Sequence, residues 1–534
     1  VAVTRLVRSG IALVLALALG ALGSAATAAT DDFAQLGTSI LGHAVGDEWG
    51  TSVALDSSGS VLAAGSPSAS GSQGRVRVFA WDGSAWVQRG AHLEGEATGD
   101  FFGQSVSLSA DGSVLAVGAP FNAGGGIDRG HVRVFSWDGS AWVQRGGDID
   151  GLVNGERSGG AVDISADGSR VVIGARLSGT LGTPEGAVRV YQWSGAAWVQ
   201  LGATISGASG DRLGTAVAIS ADGAAIIAGG PSASANAGVA RVYGWNGTAW
   251  TQKGSDIAGA AAGDLLGSAV DIDSSGSTIL IGAPRNDAGG SDAGAVSVYS
   301  FSGASWNRLG SDTRGLAASA QWGSSVSLSA DGRSYVAGAP ASSAQQGYAQ
   351  AYRLVSGEWS AWGSAIVGVA AGDQAGASVA IAGSAPRVAM GAPKHDNPFA
   401  DAGQVRVFAY PIAQTDEPAA GVAGIALHVL GPVGRQVEGS TVHIAAYRVM
   451  PDSTYSLHMQ ARGSQLGRVL ATGRVSPAGH LDQKVLLDRL SPGSYTLTLR
   501  GVHASGTGLE LVATIRIGPG GAVAAIGENR PGIW

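Results

Sequence analysis

The sequence predicts an all-β protein, a seven-bladed β-propeller followed by an immunoglobulin-like β-sandwich. Three observations lead there. Related triplets begin at Gly65, Gly118, Gly174, Gly229, Gly282, Gly338 and Gly391, so a unit of 53–56 residues recurs seven times. Each unit carries four short runs that alternate apolar and polar residues, the pattern of half-buried strands. A second group of alternating runs, without that period, fills the last hundred or so residues of the chain.

Composition agrees with this architecture and narrows the function. The 534 residues include 87 Gly, yet 45% are hydrophobic, which fits many tight turns between buried strands and not a disordered chain. Net charge is −7 with no basic block, which argues against nucleic acid as a partner. There is no Cys, so disulfides, thiolate metal sites and cysteine nucleophiles are excluded.

Residues 1–29 read as a signal peptide. Arg5 and Arg8 precede an apolar run, Ile11 to Leu22, that is too short to span a bilayer comfortably. Ala26-Thr27-Ala28 supplies small residues for cleavage near Ala28. The expected product is secreted or on the cell surface, with no transmembrane segment in the mature chain.

The propeller is expected over residues 30–410. In the second unit the strands are predicted at Gln104–Ser109, Ser113–Val117, His131–Trp137 and Ala141–Arg145. Asp111-Gly112 and Asp138-Gly139 turn the hairpins, because Gly tolerates the positive φ such corners need. The seventh unit stops at Val407-Phe408-Ala409-Tyr410, one strand short. Phe33-Ala34-Gln35-Leu36-Gly37 matches the fourth-strand segment Trp142-Val143-Gln144-Arg145-Gly146, so residues 33–37 are predicted to complete the last blade and close the ring.

Phe102-Gly103 followed by Gly118-Ala119-Pro120 resembles the FG-GAP repeat, the unit of the integrin α-subunit propeller. The triplet is kept at 282–284, 338–340 and 391–393 and weakens to Gly65-Ser66-Pro67, Gly174-Ala175-Arg176 and Gly229-Gly230-Pro231. The resemblance covers residues 33–410 and implies a propeller that binds ligands through one face. It also implies calcium in the hairpin between the first two strands. There the sequence departs from the pattern: Asp271 and Asp273 are the nearest approach to a run of alternating acids, so calcium sites are not expected.

Residues 411–423 read as a linker around Thr415-Asp416-Glu417-Pro418. Seven alternating runs over 424–517 predict the sandwich, and 518–534 form a Gly-rich tail.

Chain direction places the GDxxG segment and the loop after each triplet on the same face of the ring. Those loops vary in length and composition, which is where binding residues are expected. The candidate ligand-binding residues are Phe121, Asn122, Asp128 and Arg129; Arg285, Asn286, Asp287 and Asp292; and Lys394, His395, Asp396 and Asp401. The GDxxG acids Asp47, Asp100, Glu156, Asp211, Asp264 and Asp373 recur with the blade period and are expected to cap local backbone N–H groups. The Trp pairs 81/86, 137/142, 193/198 and 245/250 flank one turn each and are expected to brace the outer hairpins.

No catalytic motif is present, and no cofactor or metal is expected. The expected function is therefore non-enzymatic: binding of an extracellular protein or glycan through the loop-rich face. Two alternatives are a lectin using the Trp hairpins and a polysaccharide-acting hydrolase or lyase, for which Lys394-His395-Asp396 is the sequence's one repeat-breaking polar set.

Overall fold

The computed structural model describes residues 32–410 in full and, between 424 and 533, the backbone of the strands. The expected signal peptide (1–29) and linker (411–423) lie outside the described residues.

Residues 34–409 form a seven-bladed propeller. Blade 2 shows the plan: Ser105–Leu108 is innermost, followed outward by Val114–Ala119, His131–Trp137 and Trp142–Gln144 in antiparallel order. The second strand is buried on both faces, so it reads as a continuous apolar run, whereas the third alternates at its outer end. After the fourth strand the chain turns back, and the two-residue strand Ile149–Asp150 pairs with the start of the third, His131 opposite Asp150. This return strand recurs in other blades and carries the chain towards the next inner strand.

The last blade is completed from the other end of the chain. Ala34–Gln35 pairs antiparallel with Ala409 and Phe408, and Ile40–Leu41 pairs with Val405 and Gln404. First and last blades are thereby hydrogen-bonded through one sheet, and no blade edge is left open at the seam.

Blades pack face to face. One core between blades 1 and 2 contains Val78, Phe102, Val117 and Trp142, all buried. A second device ties each blade to its predecessor. The fourth-strand indole donates to a backbone carbonyl of the preceding blade: Trp86 to Leu36, Trp142 to Arg89, Trp198 to Arg145, Trp250 to Leu201, Trp306 to Lys253 and Trp359 to Leu309, at 2.6–3.0 Å. Gly90, at φ +81°, lets the chain pass beneath this pair; a Cβ there would lie 2.8 Å from the Trp137 ring.

Inner strands are linked sideways around the axis. Asp163 accepts from Ser107 Oγ of blade 2 at 2.6 Å and from the Ile219 N–H of blade 4 at 2.8 Å. Asp271 accepts from the Leu328 N–H of blade 6 at 2.6 Å. Asp273 is held by the Thr278 N–H at 2.9 Å and the Ser277 N–H at 2.7 Å, so both acids of that hairpin are occupied by protein donors.

Beyond the propeller, Gly424–Leu430, Ser440–Tyr447 and Leu481–Leu487 form a three-stranded antiparallel sheet. A six-stranded sheet is built around Thr454–Ala461, Gly493–Val502 and Gly508–Ile517, and includes Val523–Ile526 and Arg530–Ile533. No helix among the described residues is long and apolar enough to cross a membrane.

Candidate functional site

The GDxxG carboxylates build the loop face. Asp47, Asp100, Glu156, Asp211, Asp264 and Asp373 are all buried. Each accepts a backbone N–H from three or four residues upstream, such as Ala97 to Asp100 at 2.9 Å and Ala370 to Asp373 at 2.8 Å. Repeat-matched arginines add to this in blades 3 and 4. Arg189 grips Glu156 with two nitrogens at 2.8 and 2.9 Å, and Arg241 contacts Asp211 at 2.8 Å. These acids serve the scaffold.

Blade 2 departs from the repeat at one position. The third strand begins with Arg75, Ala187, Val239, Ala295, Tyr348 or Gln404 in the other blades and with His131 here. His131 is 0% exposed, and neither ring nitrogen has a hydrogen-bond partner. Its Nδ1 lies 3.8 Å from Asp148 Oδ2 and 4.0 Å from Glu96 Oε2, too far for hydrogen bonds. The three donor atoms fall within 4.8 Å of one another. Both carboxylates reach solvent while the imidazole does not.

Neighbouring side chains hold the carboxylates in place. Gln144 donates to Asp148 at 2.7 Å, and Asn122 donates to Glu96 at 3.3 Å. Burial lowers the His131 pKa, opposed by the negative charge of Asp148, so the imidazole is neutral with a lone pair to offer. One imidazole and two carboxylates suit a divalent ion of the zinc or manganese type. Two bonds of about 2.0–2.2 Å bridge the 3.8 and 4.0 Å separations from His131 Nδ1 only at angles wider than tetrahedral. An ion held by Nδ1 and the two carboxylates would satisfy the ring nitrogen that faces them.

The residues expected from sequence have mixed placements. Asn122, Asn286 and His395 occupy one repeat position and point inward. Asn122 donates to Asp100 at 3.0 Å and Asn286 to Asp264 at 2.9 Å, while His395 Nδ1 lies 3.2 Å from Asp373. The two asparagines anchor their loops to the GDxxG acid, whereas His395 Nδ1 lies beside its acid without a hydrogen bond. Asp287 and Asp396 accept the N–H groups of Asp292 and Asp401, which have positive φ. Lys394 is engaged by Glu48 and, at 3.4 Å, by Asp401. Arg129 donates to Asn154 at 3.0 Å, and Asp128 lies 4.0 Å from Arg157. Phe121 packs on Phe101 and sits beneath Arg157 at 4.2 Å. Arg285 projects into solvent. The three loops are not brought into one constellation. Only the blade 2 loop, through Asn122, adjoins the histidine cluster.

The FG-GAP repeat family matches residues 94–135 and 255–299. The chain carries an FG-GAP-type repeat region. The match does not single out an integrin α subunit. No curated protein matches the sequence. Among solved structures, the chain is similar to hydrazine synthase of Kuenenia stuttgartiensis at 13% identity and a TM-score of 0.44, covering 66% of this chain and 94% of that one. AofleA of Arthrobotrys oligospora is similar at 13% identity and a TM-score of 0.39, covering 62% and 94%. Prolyl oligopeptidase B of Galerina marginata is similar at 10% identity and a TM-score of 0.38, covering 74% of this chain and 46% of that enzyme. These likenesses are too distant to carry an argument about chemistry, although two of the three proteins are enzymes by name.

The expectation of a non-enzymatic binding protein is corrected by Glu96, His131 and Asp148, a donor set of the kind that holds a catalytic metal. These residues lie far apart along the chain, so no local motif marks them. The one signal in the sequence is His131, a polar residue at a position where three other blades have Ala or Val. The Trp hairpins have a structural role. The indole N–H groups of Trp86, Trp142, Trp198 and Trp250 are taken by the neighbouring blade, and Arg89 and Arg145 cover the Trp137 and Trp193 rings at 4.7 and 4.9 Å.

Proposed function

We propose that the chain is an exported, metal-dependent hydrolase or lyase acting on polysaccharide, with its reaction centre at Glu96, His131 and Asp148. One observation carries the reading: a fully buried imidazole, unpartnered at both nitrogens, faces two solvent-reaching carboxylates. A divalent ion held there supplies Lewis acidity and a bound water acidic enough to react near neutral pH. His131 is the fixed point of the set, because its strand is paired on both sides. Glu96 and Asp148 orient towards solvent under the constraint of Asn122 and Gln144. In this reading Arg129, on the one sequence-predicted loop that adjoins the cluster, contacts the substrate. The N-terminal segment, read as a signal peptide, supports export. The two C-terminal sheets are assigned to an immunoglobulin-like sandwich.

The test is turnover of a polysaccharide panel by the full chain with added zinc or manganese, following reducing ends for a hydrolase and unsaturated products for a lyase. Activity should disappear with chelator and fall by at least about 100-fold in His131→Ala, as expected when a metal centre loses a ligand. Activity that survives both treatments would contradict the proposal.

A further inference from the structure

A second departure from the repeat lies on the same face, between blades 3 and 4. The GDxxG residue that follows the acid takes positive φ in every blade. It is Glu48, Phe101, Leu265, Gln321 or Gln374 in five blades and Arg157 and Arg212 in these two. The third residue of the triplet is Pro in six units and Arg176 in blade 3. The three arginines converge on one cavity of about 300 Å³, which Thr215 also lines and Leu177 and Pro231 help wall.

Among the described residues, little carboxylate lies near this charge. Glu156 and Asp211, the adjacent acids in sequence, are already taken by Arg189 and Arg241. Among the described residues, the Arg176 and Arg212 side chains have no ion pair. Arg157 lies over the Phe121 ring and 4.0 Å from Asp128, its one ion pair among the described residues, and its Nε is buried without an acceptor. The packed surroundings of Arg176 lower its pKa, and the like charges of Arg157 and Arg212 lower it further. Three guanidinium groups gathered in a chain of net charge −7 repel one another and are relieved by an anion placed between them.

We propose that this cavity binds an oxyanion: a carboxylate, sulfate or phosphate group. The guanidinium fork pairs two N–H donors with two oxygens of such a group, which favours an oxyanion over a monatomic ion. The source that fits an open cavity at the rim of a ring is an acidic substituent on a glycan. The site is independent of the histidine cluster: it shares no residue with it and needs no metal.

Repeat-matched substitutions provide the test, because each introduces a residue that another blade already carries at that position. Arg157→Gln, Arg176→Pro and Arg212→Leu are combined in one variant. Binding of sodium sulfate, sodium phosphate, a uronate oligosaccharide and its neutral counterpart is measured by calorimetry on metal-free full chain, with melting curves confirming the fold. Wild type should bind sulfate or phosphate at least 10-fold more tightly than the triple variant, weakening as chloride is raised. Preference for the uronate oligosaccharide over its neutral counterpart, lost in the variant, identifies a glycan as the source. Binding of the inorganic anions without that preference supports the oxyanion site and assigns it to free anions. Equal affinity of wild type and a folded triple variant for every anion would overturn the proposal. Because the protein is metal-free throughout, failure here leaves the reading of the histidine cluster untouched.

Discussion

His131 Nδ1 stands 3.8 Å from Asp148 Oδ2, and the return strand of blade 2 puts it there. Pairing of His131 with Asp150 sets the register, and Asp148 precedes that short strand directly. The same fold-back in blades 3 and 4 brings no imidazole, because Ala187 and Val239 occupy the matching position.

Without an ion, a buried imidazole with no partner costs stability, on the order of 1–3 kcal/mol. His131→Val, which introduces the residue of blade 4, should therefore melt higher than wild type in the presence of chelator. Saturating zinc should raise the melting temperature of wild type and leave the variant unchanged. Differential scanning calorimetry under both conditions reads the crossover.

Trp142→Ala removes a buried indole and its bond to the Arg89 carbonyl. The expected cost is about 3–5 kcal/mol, the range for emptying a large core site. The measurement is urea unfolding. The variant should unfold at lower urea with no change in saccharide affinity, since the indole braces two blades.

Asp271 faces the axis, where burial first and the charge of Asp163 second push its pKa up to about 7. In the unfolded chain it returns to an ordinary value near 3.8. The folded state thus holds the proton more tightly, so this contribution is fully present below about pH 4 and is lost as pH rises through about 7. Each tenfold gain in proton affinity is worth about 1.4 kcal/mol, so the loss is on the order of 4 kcal/mol. Asp271→Ser, the residue of blades 2 and 6 at that position, should flatten stability between about pH 5 and pH 8. Urea midpoints across that range check it.

Arg189 and Glu156 form a buried two-pronged pair. Glu156→Gln leaves the guanidinium without its counter-charge and should cost about 3–5 kcal/mol. Thermal melts at low and high salt should show the loss at both, because a buried pair is poorly screened.

Much of the fold was legible in the sequence. Period-two alternation within a 53–56-residue repeat leaves few architectures, and the Asp-Gly turns divide the strands. The candidate site was less so. Asn122, Asn286 and His395 are polar residues in variable loops, which reads as ligand contact; their burial against Asp100, Asp264 and Asp373 depends on how the loop folds back. Glu96 and Asp148 become neighbours of His131 only after a blade closes. The indole bond from Trp142 to Arg89 likewise joins different units, which no pattern inside one unit reveals.

The proposed chemistry rests on the histidine cluster holding a metal. Isothermal titration of zinc and manganese into chelator-treated full chain tests this most directly, alongside His131→Val and the double variant Glu96→Gln, Asp148→Asn. One ion per wild-type chain is predicted, with affinity lower by at least about 100-fold in both variants, as expected when ligands are lost. Equal binding by wild type and variants, or no binding by any of them, would contradict it.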